Sequence, residues 1–316
     1  MTDIVVTIAL ALLGGAIKVS TPFMFVALGE CLTELSGRIN LGLEGTLVLG
    51  AMTAYGAAVL TGSPWLGLLF AGLAGAVLGT MHALLCQLPR VNDVAIGIAM
   101  MLFGTALAFY FGKPFIQPQA PHLPTIPLGE WVTQWTGLHS IALAAALEIN
   151  PLFLFGIALA GVIASALRNT HIGLIVRTTG DSGAAARALG ISVNAVRLGC
   201  TAVGGVLAGF GGAFLSLVYP GAWNESLSSG QGLMAVALVV YARWQPTRCV
   251  LAALLFGAAG ALGTALQAVG WNSGLYLFNA APYVLTFLLM LSGGGRGAAQ
   301  RRQGQFDAPG ELSTGR

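Results

Sequence analysis

Nine apolar segments follow one another along the chain and account for most of its length. A transmembrane helix needs about 20 apolar residues to cross about 30 Å of hydrocarbon, and most of the segments approach or exceed that length. The pattern therefore predicts an all-α fold, a polytopic membrane helical bundle of about 8–10 transmembrane helices, some of them broken. We expect a transmembrane domain over 1–295, embedded in the lipid bilayer. The segments are 4–29, 43–61, 65–86, 94–112, 151–168, 197–219, 232–244, 249–270 and 278–292.

Composition supports a membrane protein. Hydrophobic residues make up 56% of the 316 residues, charged residues make up 8%, and the mean hydropathy is +0.82. In soluble domains about a quarter of all residues are charged. The 45 glycines suit helices that approach one another closely in lipid, where small side chains replace the hydrophobic driving force at helix interfaces.

The basic residues predict the orientation of the segments. If the charged interval 168–197 is cytoplasmic, 12 of the 14 Lys and Arg residues lie inside, Lys113 lies in an outer loop and Lys18 lies within a span. Cytoplasmic loops are enriched in Lys and Arg, so we expect an outward N-terminus and an inward C-terminus. The external loop is then 113–150. The cytoplasmic tail 296–316 is rich in Gly, Arg and Gln and is expected to be disordered.

The first apolar segment permits two interpretations. Lys18 would lie near the middle of a helix 4–29, and Pro22 follows shortly after it. Because proline kinks or breaks a helix interior, a break near 18–22 followed by a short helix 23–35 is the alternative to one crossing.

The sequence GRINLGLEG, Gly37–Gly45, precedes the second apolar segment and contains Asn40 and Glu44. If Glu44 lies at the membrane rim, it is an ordinary helix-start acid favoured by the helix dipole. If the segment enters the membrane, it is a broken helix that lines a pathway, as in many transporters. We therefore take Asn40 and Glu44 as candidate substrate-pathway residues.

A second polar stretch, YPGAWNESLSSGQG, Tyr219–Gly232, lies at the predicted outer end of two crossings. Its Trp223, Asn224 and Gln231 offer contacts to a polar solute and are further candidates for the pathway. The alternative is an interfacial loop with an aromatic anchor.

Motifs for chemistry are missing from the sequence. No GxxxxGK[ST] phosphate-binding loop occurs, and the histidines and cysteines show no spacing typical of a metal site. We therefore expect no catalytic residue, no metal, no cofactor in this chain, and no nucleic-acid partner.

The interval from His171 to Arg197 is the most charged part of the membrane region. It contains the charged residues Arg177, Asp181, Arg187 and Arg197. The small-residue run Gly183–Ala186 would let another surface approach its backbone. The pattern predicts a short helix between two loops that meets a water-soluble partner; a solvated loop is the alternative.

Together, GRINLGLEG, GLIVRTTGDSGAAARALGI, YPGAWNESLSSGQG and the ARWQP that follows resemble the inner-membrane permease subunits of bacterial ABC importers. The similarity is greatest to the nucleoside and simple-sugar type within the ribose and branched-chain amino acid permease family, over residues 20–292. The resemblance implies a multi-pass subunit of the bacterial inner membrane that conducts a nucleoside, purine or simple sugar. A branched-chain amino acid permease, or a secondary transporter not powered by ATP, are the alternatives.

The resemblance also implies partners. These are a second permease, which we expect to be a homologous chain in a heterodimer, a cytoplasmic subunit that binds ATP, and an extracytoplasmic substrate-binding protein. It further implies that a coupling helix meets the ATPase through Gly173, Arg177, Gly180, Ala184, Ala185, Gly190 and Ile191. The family often has a proline where this chain reads Asp181, Ser182, Gly183, so the entry to that helix is expected to differ.

Overall fold

The computed structural model describes residues 2–116, 118–136, 146–271, 278, 280–293 and 308–313. Most of these residues are helical, which confirms the all-α prediction. Each predicted apolar segment coincides with one helix or, for 249–270, with two. The helices are α1 Thr2–Leu35, α2 Leu43–Thr61, α3 Pro64–Leu85, α4 Asp93–Gly112, α5 Leu128–Thr136, α6 Pro151–Asn169, α7 His171–Asp181, α8 Gly183–Ala188, α9 Val193–Leu217, α10 Gln231–Tyr241, α11 Pro246–Gly260, α12 Leu262–Gln267, α13 Ala281–Gly293 and α14 Gly310–Ser313.

Six of the described helices are long and apolar enough to cross a membrane: α1, α2, α3, α4, α6 and α9. Two further apolar helices, α10 and α11, are shorter. The predicted polytopic bundle with some short or broken helices is therefore confirmed.

Helix α1 is continuous from Thr2 to Leu35, with Pro22 inside it. The alternative of a break near 18–22 is therefore wrong, and the predicted end at residue 29 is six residues too early. Pro22 removes one backbone donor, but packing of α1 against α9, α10 and α11 holds the helix together. At 1.5 Å per residue the helix is about 51 Å long, well beyond the hydrocarbon thickness of about 30 Å.

Lys18 is paired with an acid from the predicted external loop. Its ammonium nitrogen lies 3.4 Å from the carboxylate of Glu148, which also accepts a hydrogen bond of 2.7 Å from the Thr125 hydroxyl. The Thr125 hydroxyl and the Lys18 ammonium outweigh partial burial and lower the pKa of Glu148. The charge on Lys18 is therefore compensated by an acid of the predicted external loop.

The described part of the external loop has regular structure. Strands β1, Ile126–Pro127, and β2, Glu148–Ile149, form a two-residue antiparallel pair. Helix α5 follows β1 and carries Trp131, which is 55% exposed.

Helix α9 forms the centre of the bundle and packs on α1, α2 and α3. The packing depends on small residues. A Cβ at Gly205 would lie 2.1 Å from the carbonyl oxygen of Gly75 in α3, and one at Gly204 would lie 2.8 Å from the carbonyl oxygen of Gly29 in α1. The glycines thus set the spacing of the helices, as is typical of close packing in lipid.

Helix α10 is a half-helix. Its 11 residues extend about 16 Å, roughly half of the hydrocarbon thickness. The preceding residues 218–230 run from the end of α9 into the bundle before α10 begins. The segment 232–244, counted among the predicted crossings, is therefore helical only to Tyr241 and has about half the length of a crossing.

We predict that replacing Gly205 with valine will force α3 and α9 apart, because the new side chain meets backbone atoms that cannot move aside. Overpacking of this kind costs about 1–3 kcal/mol, so the detergent-purified protein should unfold at a lower temperature. Gly199→Val on the same helix is the control, since no atom lies within 4 Å of a Cβ built there. Equal unfolding temperatures for the two variants would contradict this account of the packing.

Candidate functional site

The side chain of Glu44 binds the N-terminus of the half-helix α10. Its Oε1 accepts hydrogen bonds from the Ser228 hydroxyl at 2.5 Å and from the Gly230 N–H at 3.0 Å, and its Oε2 accepts from the Gly232 N–H at 2.6 Å. Only 8% of Glu44 is exposed. Glu44 lies in the first turn of α2, but the helix that its carboxylate caps is α10.

The cap lies deep in the bundle. Gly45 is packed against the middle of α4, where an added Cβ would lie 2.5 Å from the carbonyl oxygen of Met101. The first N–H groups of any helix lack partners within that helix, and in lipid they must be satisfied by the protein itself. A carboxylate also suits the positive end of the helix dipole. Glu44 therefore meets the physical need that a half-helix creates.

Two glycines make this contact possible. Gly230, at the N-cap, has φ of 80°, in the left-handed region that favours glycine. A Cβ at Gly232 would lie 2.6 Å from Cα of Glu44. The glycines of Tyr219–Gly232 thus serve the close approach of α2 and α10.

The five predicted pathway residues fall into two groups. Asn40, Glu44 and Gln231 lie around the start of α2 and the start of α10. Trp223 is instead buried near the end of α4, where its indole N–H donates to the Gly112 carbonyl oxygen at 3.0 Å. Asn224 is exposed and accepts hydrogen bonds from Ser226 within its own turn.

Asn40 and Gln231 each have a buried polar atom without a hydrogen-bond partner among the described residues. Asn40 accepts from the Gly42 N–H through its side-chain oxygen, but its Nδ2 has no hydrogen-bond partner among the described residues. The same holds for Oε1 of Gln231. Buried polar groups are rarely left unpaired, so these two atoms are exceptions within the described part of the bundle.

Two buried acids near this site were missed by the sequence analysis. Glu30 and Glu34 lie one turn apart in the last turns of α1 and are 0% and 2% exposed. Glu30 accepts from the Asn40 N–H at 2.8 Å, and Glu34 accepts from the Trp244 indole N–H. The signal that could have found them is the spacing of two carboxylates in an otherwise apolar stretch, which the predicted helix end at residue 29 obscured.

Helices α7 and α8 form an elbow at one end of the bundle. The same end carries Arg38, which pairs with Asp93. Thr170 caps α7 by accepting from the Gly173 N–H, and Ser182 caps α8 by accepting from the Ala185 N–H. The predicted single short helix is therefore two helices. Ser182, extended at φ of −158°, ends the first and starts the second where the family often has proline.

The seven predicted coupling residues have different surroundings. Gly173 and Gly180 are buried, and a Cβ at Gly180 would lie 2.1 Å from the carbonyl oxygen of Leu35. Arg177 donates to the Gly173 carbonyl oxygen at 3.4 Å, and Ile191 is half-buried. The exposed residues are Ala184, Ala185 and Gly190.

The chain tail also touches the elbow. Within the tail predicted to be disordered, residues 308–313 are described, and α14 places Glu311 against α8 and α9; the prediction for the other tail residues lies outside the described residues. Glu311 accepts from the Gly183 N–H at 2.8 Å and from the Arg197 guanidinium at 3.1 Å. Burial raises the pKa of Glu311, but these two donors outweigh it and the net pKa is low. The contact therefore stabilises at neutral pH and weakens on acidification.

Comparison with known proteins places this arrangement in a family. The model of the family described as branched-chain amino acid transport system, permease component, matches residues 11–292. The match includes both the Glu44 cap and the elbow. The chain belongs to this permease family.

Three similar proteins are transport subunits. The permease is 30% identical to the guanosine ABC transporter permease protein NupQ of Bacillus subtilis and 29% identical to the nucleoside ABC transporter permease protein NupC of Lactococcus lactis; each match covers 90% of this chain and 92% of the relative. It is 32% identical to TsgC13 of Haloferax volcanii, provisionally named a glucose ABC transporter permease protein, over 80% of this chain and 77% of the relative.

Membership of the family settles the class of the protein. The permease is a membrane-spanning transport subunit rather than an enzyme, and it is a multi-pass protein of the inner membrane. As an ABC permease it works with an ATPase and a substrate-binding protein. Transport through this chain therefore depends on movement of its helices and on binding, not on covalent chemistry.

We predict that Glu44→Gln will destabilise the start of α10. Both oxygens of Glu44 accept from backbone N–H groups, whereas a glutamine has only one acceptor oxygen. The NH₂ group of the glutamine would therefore face an N–H group that the carboxylate satisfies in the parent. Leaving a buried donor unpaired costs about 1–3 kcal/mol. Thermal unfolding of the purified permease measures this loss, and Glu225→Gln, at an exposed position of the same loop, is the control. The prediction fails if the two variants unfold alike.

Proposed function

We propose that this permease forms the translocation pathway for a nucleoside or a simple sugar, and that the pathway passes the Glu44 cap. The observation that carries the proposal is the half-helix that begins inside the bundle. Transporters commonly bind their substrates near the midplane, where discontinuous helices expose backbone and side-chain polar groups. Here the polar groups at that depth come from Asn40, Glu44 and Gln231.

The free polar atoms favour a neutral, hydroxyl-rich solute. Asn40 Nδ2 is a donor and Gln231 Oε1 is an acceptor, and a sugar or ribose hydroxyl serves as both. The Glu44 carboxylate already accepts three hydrogen bonds, so it organises the site rather than binding a cation. The names of the nucleoside and guanosine relatives support a nucleoside as the first choice, and that of the glucose relative supports a sugar.

A branched-chain amino acid is the second candidate, favoured by the description of the matching family. Its ammonium and carboxylate groups would need charged partners. The described carboxylates near the cap, those of Glu44, Glu30 and Glu34, each accept at least one hydrogen bond from the protein, and of these only Glu30 keeps an oxygen, Oε2, without a partner among the described residues. The neutral solute therefore agrees better with this site.

Coupling to ATP is proposed for the elbow. ATP would be bound and hydrolysed by the separate subunit, and the exposed Ala184, Ala185 and Gly190 would meet it together with Leu189, which is 71% exposed. Buried Gly173 and Gly180 would transmit the movement to α6 and α1, because their lack of side chains lets α7 touch both helices. A second permease, expected to be a homologous chain, would complete the pathway.

We predict that Leu189→Asp will weaken association with the ATPase by about tenfold or more, since it places a charge in an apolar contact. Residue 189 packs against no core, so the permease itself should stay folded. Co-purification with the ATPase and ATP-driven uptake in proteoliposomes measure the effect. Leu60→Asp, at a position 77% exposed in the last turn of α2, is the control. Unchanged association of the Leu189 variant would refute the assignment of the elbow.

Uptake experiments test the substrate. Proteoliposomes that contain the permease, its partner subunits and its binding protein should accumulate a labelled nucleoside or sugar when ATP is supplied. Gln231→Ala should raise the substrate concentration needed for half-maximal uptake several-fold, because one hydrogen bond to a neutral group is lost. Accumulation of leucine but of neither nucleoside nor sugar would favour the second candidate.

A further inference from the structure

The turn between α10 and α11 has an unusual backbone. It is the ARWQP motif, Ala242–Pro246, whose sequence indicates little beyond a basic loop. Arg243 and Trp244 are consecutive residues with φ of 53° and 52°. L-residues other than glycine rarely occupy this left-handed region, and such strain persists only where the surrounding structure imposes it.

One contact that imposes this conformation comes from α1. The Trp244 indole N–H donates to Oε2 of Glu34, which is 2% exposed. The backbone N–H of Trp244 also donates to the Val239 carbonyl oxygen at 3.2 Å. The left-handed turn therefore directs the indole away from the solvent side of the turn and onto a buried carboxylate.

Glu34 adjoins a second buried acid. Glu30, one turn earlier in α1, accepts from the Asn40 N–H, while its Oε2 has no hydrogen-bond partner among the described residues. A buried carboxylate depends strongly on each donor that it has. The Trp244 indole is thus a significant partner for this pair of acids.

The same half-helix is held at its other end by Glu44. Helix α10 is therefore fixed at its start by a carboxylate of α2 and just beyond its end by a carboxylate of α1. Between the two, Ala235 and Leu238 are fully buried. With both ends fixed, α10 lies between the Glu44 cap and the end of the bundle that carries Arg38.

The end of α1 is also where the elbow rests. Gly180 of α7 contacts the Leu35 carbonyl oxygen, one residue after Glu34. Arg197 donates to the carbonyl oxygen of Ser36 at 3.1 Å. A displacement of the elbow therefore acts directly on the residues next to the Glu34–Trp244 contact.

We propose that the Glu34–Trp244 hydrogen bond is a latch that keeps the pathway closed at the end of the bundle that carries Arg38 and the elbow. Movement of the elbow releases this latch. This inference rests on the proposed function, since it takes the Glu44 cap as part of the pathway. Glu34 and Trp244 are positioning residues: they hold α10 and do not touch the solute.

Accessibility of the start of α10 tests the latch without any need for substrate. The Gln231→Cys variant is labelled with a membrane-impermeant maleimide in inside-out vesicles without nucleotide. The chain in which Gln231 is unchanged gives the background labelling. We expect Trp244→Phe to speed labelling up to about tenfold, the shift in a two-state equilibrium expected from loss of one buried hydrogen bond. Trp65→Phe, at an exposed tryptophan of α3, should have no effect.

Two variants of Glu34 separate the latch from a merely structural role. In Glu34→Gln the amide oxygen can still accept from the indole, so labelling should stay within about twofold of the parent. Glu34→Val removes the acceptor and should label as fast as Trp244→Phe; it also carries the test if the Trp244 variant does not assemble. Equal labelling of Glu34→Val and the parent, or fast labelling of Glu34→Gln, would overturn the proposal.

Uptake and ATP hydrolysis distinguish failure of the latch from failure of the proposed function. With the latch removed, ATP hydrolysis by the partner should continue while uptake per ATP falls several-fold. If the parent complex transports and Glu34→Val shows unchanged uptake per ATP, the latch is overturned and the proposed function stands. A parent complex that neither binds the ATPase nor transports overturns the proposed function.

Discussion

The constraint on which the structure depends is that a helix beginning inside a membrane must have its first N–H groups satisfied by the protein. Here Glu44 satisfies two of the N–H groups at and after the N-cap of α10 and also binds the Ser228 hydroxyl. The glycines beside it allow the backbones of α2 and α10 to approach. The half-helix, the polar residues at its start and the loop that leads into the bundle all follow from this one carboxylate.

The inner acids extend the same principle to the other end of α10. Glu34 is held within an otherwise apolar helix because the Trp244 indole supplies a donor, and a neighbouring residue of α1 is in contact with the elbow. A short chain of contacts therefore connects α7, the end of α1, the ARWQP turn and α10. Packed elements of this kind shift between discrete arrangements rather than deform gradually, as alternating access requires.

Several features could be predicted from particular residues. The apolar segments located the helices, since the lengths needed to cross a membrane are set by physics. The short segment 232–244 was counted among the crossings, and the sequence around Glu44 left a rim acid and a broken helix open, so the half-helix was not specified in advance. Thr170 and Ser182 are typical N-caps, although the split of the elbow into α7 and α8 was not anticipated. By contrast, Pro22 suggested a break that packing on neighbouring helices suppresses.

The sequence by itself determined the membrane class, the helix positions and the charged elbow, because hydrophobic length, charge and local capping act over short stretches of chain. Only the tertiary structure decided that Glu44 caps α10, that Trp223 is buried away from the cap, that Lys18 pairs with Glu148 and that Glu34 holds the ARWQP turn. Those contacts join residues from 111 to 210 positions apart, for the pairs Gly112–Trp223 and Glu34–Trp244. No local pattern specifies them; they arise from the way in which the glycine-rich helices pack around α9.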